Sequence, residues 1–244
     1  MWLPDSIRPQ NKGYGEAGAS WRKKAVKGFN APSGSPREDI DFNNYTLRQR
    51  GRMLYMAAPI ATSAIKTNRT NVVGVGLKLK SRIDREVLGL SPDQAEAWQK
   101  ETEREFSLWA NNKRACDATG MNNFYGLQQL ALISWLLSGD CIGVIKQFNR
   151  IATPGKYGAG TSVYYTTGKN PDTGNTIFDG VEVDKDGAVV AYHIRSNYPF
   201  EVGAPTTSWA RVEAYQPHTG LPNVIHIINT EPPDQYRGVS YLAQ

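Results

Sequence analysis

Apolar and polar residues recur with helical spacing over the first part of the chain that shows a regular pattern. A helix is predicted over Tyr45–Met56, with a cap at Asn43 or Asn44, because asparagine accepts a hydrogen bond from the first turn. Pro59 suits the first turn of a second helix, where its missing donor costs nothing. The proline ring also disfavours helical backbone in the residue before it. The sequence therefore predicts two helices with a break at Ala57–Ala58.

Small residues form a narrow stripe along the second predicted helix, which suits close helix packing. The stripe consists of Ile60, Ala61, Ala64, Ile65 and Asn68. After it the spacing changes to alternation, which predicts a half-buried strand over Val72–Lys80, entered through Gly74 and Gly76. The apolar members of this strand are Val73, Val75, Leu77 and Leu79.

Two further helices are predicted from their capping residues. Ser91, followed by Pro92 and then Gln94, forms a capping-box sequence that starts one of them. Its inward face is predicted to comprise Ala95, Trp98, Thr102, Phe106 and Trp109, and its solvent face Glu96, Glu101, Glu103 and Glu105. The other covers Asn122–Ser138 and is apolar on most sides, so we expect it to be central, with Gly139 ending it.

The rest of the chain is rich in strand patterns. Cys141–Phe148 and Val224–Ile228 read as single strands, while Ile177–Val183 and Ala188–Arg195 form a hairpin around Asp184–Gly187. The fold class that follows is α+β, with several helices packed on a mainly antiparallel β-sheet. The last residues, from 234 to 244, read as the start of another helix.

Residues 1–41 differ from the remainder and are predicted to be an extended or flexible basic arm. They are rich in Gly and Pro and show no sustained period, so they cannot bury enough apolar surface to offset their ordering entropy. They nevertheless contain the aromatic residues Trp2, Tyr14, Trp21 and Phe29. We expect these aromatics to order against a neighbouring copy or a shell protein. The predicted organisation is an arm at 1–41 and an α+β domain at 42–244.

Composition excludes several classes of protein. The chain has 244 residues, of which 40% are apolar and 21% charged, as in globular proteins. Its longest apolar run, Leu130–Leu137, is far shorter than the roughly 20 residues of a membrane span. Two cysteines, Cys116 and Cys141, are too few for a disulfide scaffold. Folding in a reducing cytoplasm is therefore expected, with no secretion and no membrane partner.

Positive charge is concentrated in the first third, where residues 1–80 hold 14 Lys or Arg and five Asp or Glu. Such asymmetry indicates contact with a polyanion, although a basic tail that only aids solubility is the alternative. The candidates for contact with a DNA backbone or a partner are Arg22, Lys23, Lys24 and Lys27 in the arm, and Arg48, Arg50 and Arg52 on the exposed face of the first helix. Sequence-specific readout is not expected.

Signals for catalysis or cofactors are weak. Gly74 and Gly76 lack the third glycine of a dinucleotide fingerprint. Asp184–Gly187 opens like a calcium loop, but Ala188 and Tyr192 stand where oxygen ligands belong. The three histidines, His193, His218 and His226, lack metal spacing, and a structural role in strands is expected for His193 and His226. No P-loop or nucleophile elbow occurs, so the predictions are no catalytic residues, no metal and no cofactor.

Seven blocks in order resemble the lambda-type portal proteins of tailed bacteriophages and prophages. They are Asp39–Asp41; Leu47–Asp84; Phe106–Trp109; Ser138–Asp140; Gly180–Asp184 with Ala191–His193; Val224–His226; and Gln235–Gly238. Residues 150–176 and 198–222 match least. The resemblance implies a ring, usually of twelve identical subunits, at one capsid vertex, through which double-stranded DNA is packaged and later ejected. It implies assembly in the bacterial cytoplasm and contact with capsid, scaffold, terminase and head–tail adaptor proteins.

The resemblance also implies where this chain lies in a full-length subunit. Family members continue past the block containing Arg237 into stem, clip and crown, so the expectation is that these residues form the wing and stop before the other parts. Arg237 and the arm aromatics are then candidates for contacts between subunits. The alternative function is a metal-dependent nucleic-acid-processing enzyme whose basic N-terminal region grips its substrate.

Overall fold

The computed structural model describes residues 24–25, 28, 34–35, 39–40, 42–146, 167–195 and 209–243. The chain divides into two compact units, Met1–Ser35 and Pro36–Gln244. The larger unit combines helices with two antiparallel sheets, so the predicted α+β class is confirmed.

In the described part of the chain the helices are α1 Phe42–Ala57, α2 Pro59–Val72, α3 Pro92–Asn111, α4 Lys113–Cys116 and α5 Phe124–Ser138. The strands are β1 Asp140–Val144, β2 Gly168–Lys169, β3 Thr176–Phe178, β4 Val181–Val183, β5 Val189–Arg195, β6 Trp209–Glu213 and β7 Val224–Ile228. The elements α4, β2 and β6 were not predicted from the sequence.

The break between α1 and α2 is confirmed at the predicted place. Ala58 has φ −109° and ψ 110°, which is extended backbone, and Pro59 opens α2. The chain stays compact there because the Ala58 amide donates to the carbonyl of Leu54 at 2.8 Å, and the Thr62 amide donates to the carbonyl of Ala58 at 3.0 Å. On α2 the predicted stripe is only partly inward, since Ile65 is 3% exposed whereas Ile60 is 86% exposed.

The strand predicted over Val72–Lys80 is wrong. The helix α2 continues to Val72, and residues 76–84 have no regular secondary structure. A side-chain amide replaces the strand partner: Gln128 of α5 accepts from the Leu77 amide at 2.7 Å and donates to the Leu77 carbonyl at 3.2 Å. Glu103 of α3 likewise accepts from the Ser81 amide at 2.9 Å. Alternation in this segment therefore does not produce a sheet ladder.

The capping box at the start of α3 is confirmed. Ser91 Oγ accepts from the Gln94 amide at 3.3 Å, and Gln94 Oε1 accepts from the Ser91 amide at 2.9 Å. The predicted inward face is correct at Ala95, which is buried, but wrong at Trp98 and Trp109. These two side chains are 50% and 41% exposed, which leaves one flank of α3 apolar and open.

The helix α5 is central, as predicted, and packs against α1, α2, α3, β1 and β7. Asn123 caps its start by accepting from the Gly126 amide at 2.9 Å, and Gly139 ends it at φ +86°. One buried core joins α5 to α2 and comprises Ile65, Val73, Leu132 and Leu136.

The two sheets are antiparallel and share a second core. One has two strands, β1 and β7, with Ile142 opposite His226. The other has the order β2-β3-β4-β5-β6. The second core comprises Ile142, Val181, Val183, Tyr192, Ile194, Ala214 and Val224. Because Ile142 and Val224 come from the smaller sheet, this core holds the two sheets together.

The predicted hairpin around Asp184–Gly187 is confirmed as the β4–β5 turn. The single strand predicted over Ile177–Val183 is wrong, since it divides into β3 and β4 at Asp179–Gly180. Both turn residues have positive φ, +43° and +85°, as a tight hairpin turn requires. The terminal helix predicted after residue 234 is also wrong, because residues 234–243 form turns without a helix.

Candidate functional site

Four buried charged residues meet where distant parts of the larger unit come together. Arg48 belongs to α1, Asp140 opens β1, Asp179 lies in the β3–β4 turn, and Arg237 lies in the C-terminal segment. None of the four is more than 6% exposed. We call this set the central cluster. Its two guanidinium groups and two carboxylates balance in charge.

The contacts of the central cluster are short. Arg237 Nε lies 2.6 Å from Asp140 Oδ2, and its Nη1 lies 3.1 Å from Asp179 Oδ2. Arg48 reaches the same carboxylates at 3.3 and 3.4 Å. The backbone completes the arrangement, since Arg48 Nε donates to the Ser138 carbonyl at 3.0 Å and the Gly238 amide donates to Asp140 at 3.2 Å. Arg237 also donates to the carbonyl of Asp179.

Electrostatics keeps Asp140 ionised inside the protein. Burial by itself would raise the pKa of Asp140, but the adjacent charges of Arg237 and Arg48 outweigh burial and hold its pKa well below the ordinary range. A buried ion pair of this kind contributes little over an apolar replacement, yet removal of one partner costs about 3–5 kcal/mol. The central cluster therefore makes four distant segments depend on one another.

A second buried carboxylate, Glu182 on β4, is enclosed by donors. Arg211 of β6 donates twice to it, at 2.8 and 3.2 Å, and His193 of β5 lies 2.8 Å away. Three side chains of the β2–β3 connection also donate to it: Asn170 at 3.0 Å, Thr173 at 2.9 Å and Asn175 at 2.9 Å. We call this set the Glu182 cluster. It fixes the β2–β3 connection to the middle of the larger sheet.

The donors also set the ionisation of Glu182. Burial opposes its charge, but the hydrogen bonds from Arg211, Asn175, His193 and Asn170 hold the pKa of Glu182 far below its usual value. His193 thus has a hydrogen-bonded structural place in a strand, as predicted. His226 lies in β7, also as predicted, with Nδ1 3.4 Å from the Tyr192 hydroxyl.

Neither cluster has the arrangement of a reactive centre. The carboxylate oxygens already accept from arginine, amide or hydroxyl groups, which leaves them poorly placed to accept a proton from a substrate. Cys141, next to Asp140, is a poor nucleophile because burial and then the Asp140 charge raise its pKa to about 11. In the part of the chain that is described, no group of three or more His, Cys, Asp or Glu could hold a metal ion.

The three arginines predicted to lie on the exposed face of α1 differ in how exposed they are. Arg50 is exposed, and Arg52 is half-buried and donates to Ser138 Oγ at 3.1 Å. The prediction that Arg48 lies on the exposed face is wrong, because it is 5% exposed and paired with two aspartates. Its guanidinium is directed into the fold, where Asp140 and Asp179 compensate its charge.

Arg237 is the second arginine whose environment differs from expectation. It is 2% exposed and bound to Asp140 and Asp179 of its own chain, so its guanidinium is already engaged inside the subunit. Lys24 is exposed. The other arm candidates, Arg22, Lys23, Lys27, Trp2, Tyr14, Trp21 and Phe29, lie outside the described residues.

The carboxylates that organise the fold were not singled out from the sequence. A weak signal existed for Asp179, because an Asp-Gly pair between apolar residues favours a hairpin turn. Asp140 directly follows the Gly139 helix stop, and Glu182 interrupts an apolar strand. The pairing of these groups with arginines far along the chain has no local sequence signal.

Among the described helices, none combines the length and the apolar character needed to span a bilayer.

Comparison with known proteins gives one family match. The family described as "Phage portal protein, lambda family" matches residues 22–244. The match includes both buried clusters and every described helix and strand. Among curated proteins, none matches the chain.

Proposed function

Because the chain belongs to the lambda family of phage portal proteins, we propose that its copies form a closed ring at one vertex of a phage capsid. Double-stranded DNA passes through this ring during packaging and again during ejection. The observation that carries the proposal is the family match over residues 22–244, which leaves only the first 21 residues outside. The resemblance of the seven sequence blocks points to the same family.

The two buried clusters support a structural role. A ring of identical subunits needs units that keep their shape when neighbours press on them. The central cluster ties α1, β1, the β3–β4 turn and the C-terminal segment into one unit. The Glu182 cluster does the same for β4, β5 and β6. In this proposal the chain makes and breaks no bond, and metal-dependent processing of nucleic acid is not favoured by any described arrangement of residues.

Contact with DNA is proposed to be electrostatic and independent of base sequence. DNA must slide through a portal, and phosphate contacts hold a duplex without reading its bases. Arg50 on α1 and Lys24 in the arm are exposed cations that could serve this purpose. Arg22, Lys23 and Lys27 complete the basic part of the arm. Arg48 is not included, since its charge is compensated inside the fold.

Residues 42–244 are proposed to form part of the portal wing, and residues 1–41 an arm whose aromatics bind a neighbouring subunit or the shell. The ring is proposed to be dodecameric, to assemble in the bacterial cytoplasm, and to contact capsid and scaffold proteins at the vertex. Contacts with the terminase and the head–tail adaptor are also proposed for the assembled ring.

A phage that carries an amber codon in this gene tests the proposal. In a non-suppressing host we expect capsids that contain no DNA, and packaging should return when the protein is supplied from a plasmid. DNA-filled heads without the protein would overturn the proposal. Purified chain incubated with duplex DNA and Mg²⁺ or Mn²⁺ should leave the DNA intact, and cleavage that purifies with the chain would support the enzyme alternative.

A further inference from the structure

One flank of α3 exposes large apolar and acidic side chains together. Trp98 is 50% exposed, Leu108 62% and Trp109 41%. Glu101 and Glu105 lie on the same side of the helix, because residues three, four and seven positions apart share a face. We call these five residues the α3 flank.

The α3 flank is held in place by packing behind it. The Trp109 ring lies 5.1 Å from the ring of Phe124 on α5 and 5.5 Å from the ring of Phe106, measured between centroids. Such aromatic contacts fix the orientation of a partly exposed side chain. Exposed aromatic side chains that are held in place are enriched in surfaces that bind another protein.

A second exposed feature is a groove along α2. It has a volume of about 550 Å³ and runs from the end of α1 along one side of α2. Small hydroxyl residues, Ser63, Thr67 and Thr70, line it, with Lys66 beside them and Met56 at one end. Met56 is 78% exposed, so this end of the groove is apolar and uncovered. We call it the α2 groove.

The two surfaces are complementary in charge. Lys66 of the α2 groove is exposed, and residues 42–83 contain no Asp or Glu that could offset its charge. The helix α3 contains five Asp or Glu and only two Lys or Arg. One of the two, Arg104, lies 2.7 Å from Glu101 and 3.2 Å from Glu105, so two carboxylates share one guanidinium and the α3 flank keeps a net negative charge. Opposite charge on facing surfaces fixes the register of two proteins and favours the correct partner.

The two surfaces are also complementary in size. The α3 flank projects two indole rings and a leucine, whereas the α2 groove is lined by side chains no larger than threonine over much of its length. Large side chains that fill a groove between small ones are the usual way in which helices pack. In a docked pair, the apolar end at Met56 would lie against the rings and Lys66 against Glu101 or Glu105.

We propose that the α3 flank of one copy docks into the α2 groove of a neighbouring copy. This rests on the proposed ring, for which it supplies one contact between subunits. Two different surfaces of the same chain meet, so the contact is heterologous, and such a contact builds a closed ring when the rotation between neighbours divides a full turn evenly. The occupant is a second copy because the chain itself carries both halves of the complementary pair.

Disulfide cross-linking tests the docking directly. Thr67 lines the α2 groove and Glu101 lies on the α3 flank, and both are exposed. The double variant Thr67→Cys with Glu101→Cys, oxidised at a concentration where the chain associates, should give a ladder of dimers, trimers and larger species on a non-reducing gel. Each single variant should give no more than wild type, which controls for Cys116 and Cys141. A mixture of the two single variants should stop at dimers.

Two tryptophan substitutions test whether the α2 groove must be open for docking, and one of them serves as the matched control. Ser63→Trp fills the α2 groove, whereas Ala64→Trp adds the same side chain at a position outside the groove on the same helix. Both positions are exposed, so both variants should keep the wild-type melting temperature. In the double-cysteine background, Ser63→Trp should abolish the ladder and Ala64→Trp should leave it.

Several results would overturn the docking and leave the ring proposal standing. One is that the wild-type chain assembles but the double-cysteine variant gives no ladder. Another is that Ser63→Trp and Ala64→Trp give equal ladders in the double-cysteine background. A third is that Thr67→Cys alone gives dimers, which would show a symmetric contact. DNA-filled heads in the amber phage would instead overturn the ring proposal itself. A wild-type chain that stays monomeric at all concentrations would also overturn the docking, since both of its surfaces belong to this chain, whereas the amber phage decides the ring proposal.

Discussion

Gly139 and Gly238 meet backbone to backbone where α5 ends and the C-terminal segment crosses it. A Cβ atom on either residue would overlap the other's peptide group. The contact brings the Gly238 amide within 3.2 Å of Asp140 and places Arg237 beside the same carboxylate. The absence of side chains at these two positions is therefore a condition for the central cluster.

The substitution Gly238→Ala should destabilise the protein by about 3 kcal/mol, because overpacking of backbone against backbone has no flexible side chain to relax. The measurement is the free energy of unfolding in urea. Gly143→Ala is the matched control, since a Cβ there would meet nothing closer than 3.9 Å. A Gly238→Ala protein as stable as Gly143→Ala would contradict the close approach.

The substitution Asp140→Asn should cost about 3–5 kcal/mol, because it leaves Arg48 and Arg237 buried with too little negative charge. Urea denaturation measures the loss. The control is Asp186→Asn in the exposed β4–β5 turn, which should change stability by less than about 0.5 kcal/mol. Equal stability of the two variants would show that the central cluster does not hold the fold together.

Stability should fall in acid because of the same carboxylates. The folded pKa values of Asp140 and Glu182 are depressed, whereas in the unfolded chain Asp and Glu titrate near 3.9 and 4.3. The unfolded state therefore takes up protons first, so the stabilisation is present above about pH 4.3 and is lost as pH falls further.

The acid effect is measured as the urea midpoint between pH 6 and pH 3. The decline should be smaller in Asp140→Asn and in Glu182→Gln than in wild type, since each variant lacks one depressed carboxyl group. The control is Glu101→Gln at an exposed position, and its urea midpoint should decline in parallel with that of wild type. Parallel curves for all variants would mean that neither buried carboxylate has a depressed pKa.

The substitution Ile65→Asp should unfold the larger unit or cost at least about 4 kcal/mol, because it buries an unpaired charge against Leu132 and Leu136. Ile60→Asp on the same helix should have little effect, since Ile60 is 86% exposed. Circular dichroism melting compares the two. A stable Ile65→Asp protein would show that the orientation of α2 is incorrect.

Elements with explicit local signals could be predicted from the sequence. As expected, Ser91 caps the start of α3 and Gly139 caps the end of α5, because capping residues act over three or four positions. The α1–α2 break followed from Pro59 alone. In each case the residue that starts, ends or interrupts the helix acts on backbone within one helical turn of itself.

Features that depend on distant partners could not be predicted. The segment around Leu77 alternates like a strand, but its backbone partner is the Gln128 side chain, 51 positions away. Arg48 was placed on the exposed face of the first helix, but it is buried beside Asp140, which is 92 positions away. Arginine is seldom buried unless it is paired, and such a distant partner leaves no local signal. The central cluster therefore emerges only when the chain is folded.

The central claim is that copies of this chain form a ring at one capsid vertex, and electron cryo-microscopy of the phage particle without imposed symmetry tests it most directly. The account predicts one vertex with a closed ring whose density accommodates α1–α5 and both sheets in every subunit. It also predicts a central opening wide enough for duplex DNA. A particle whose vertices are all alike, with no density for this chain, would contradict it.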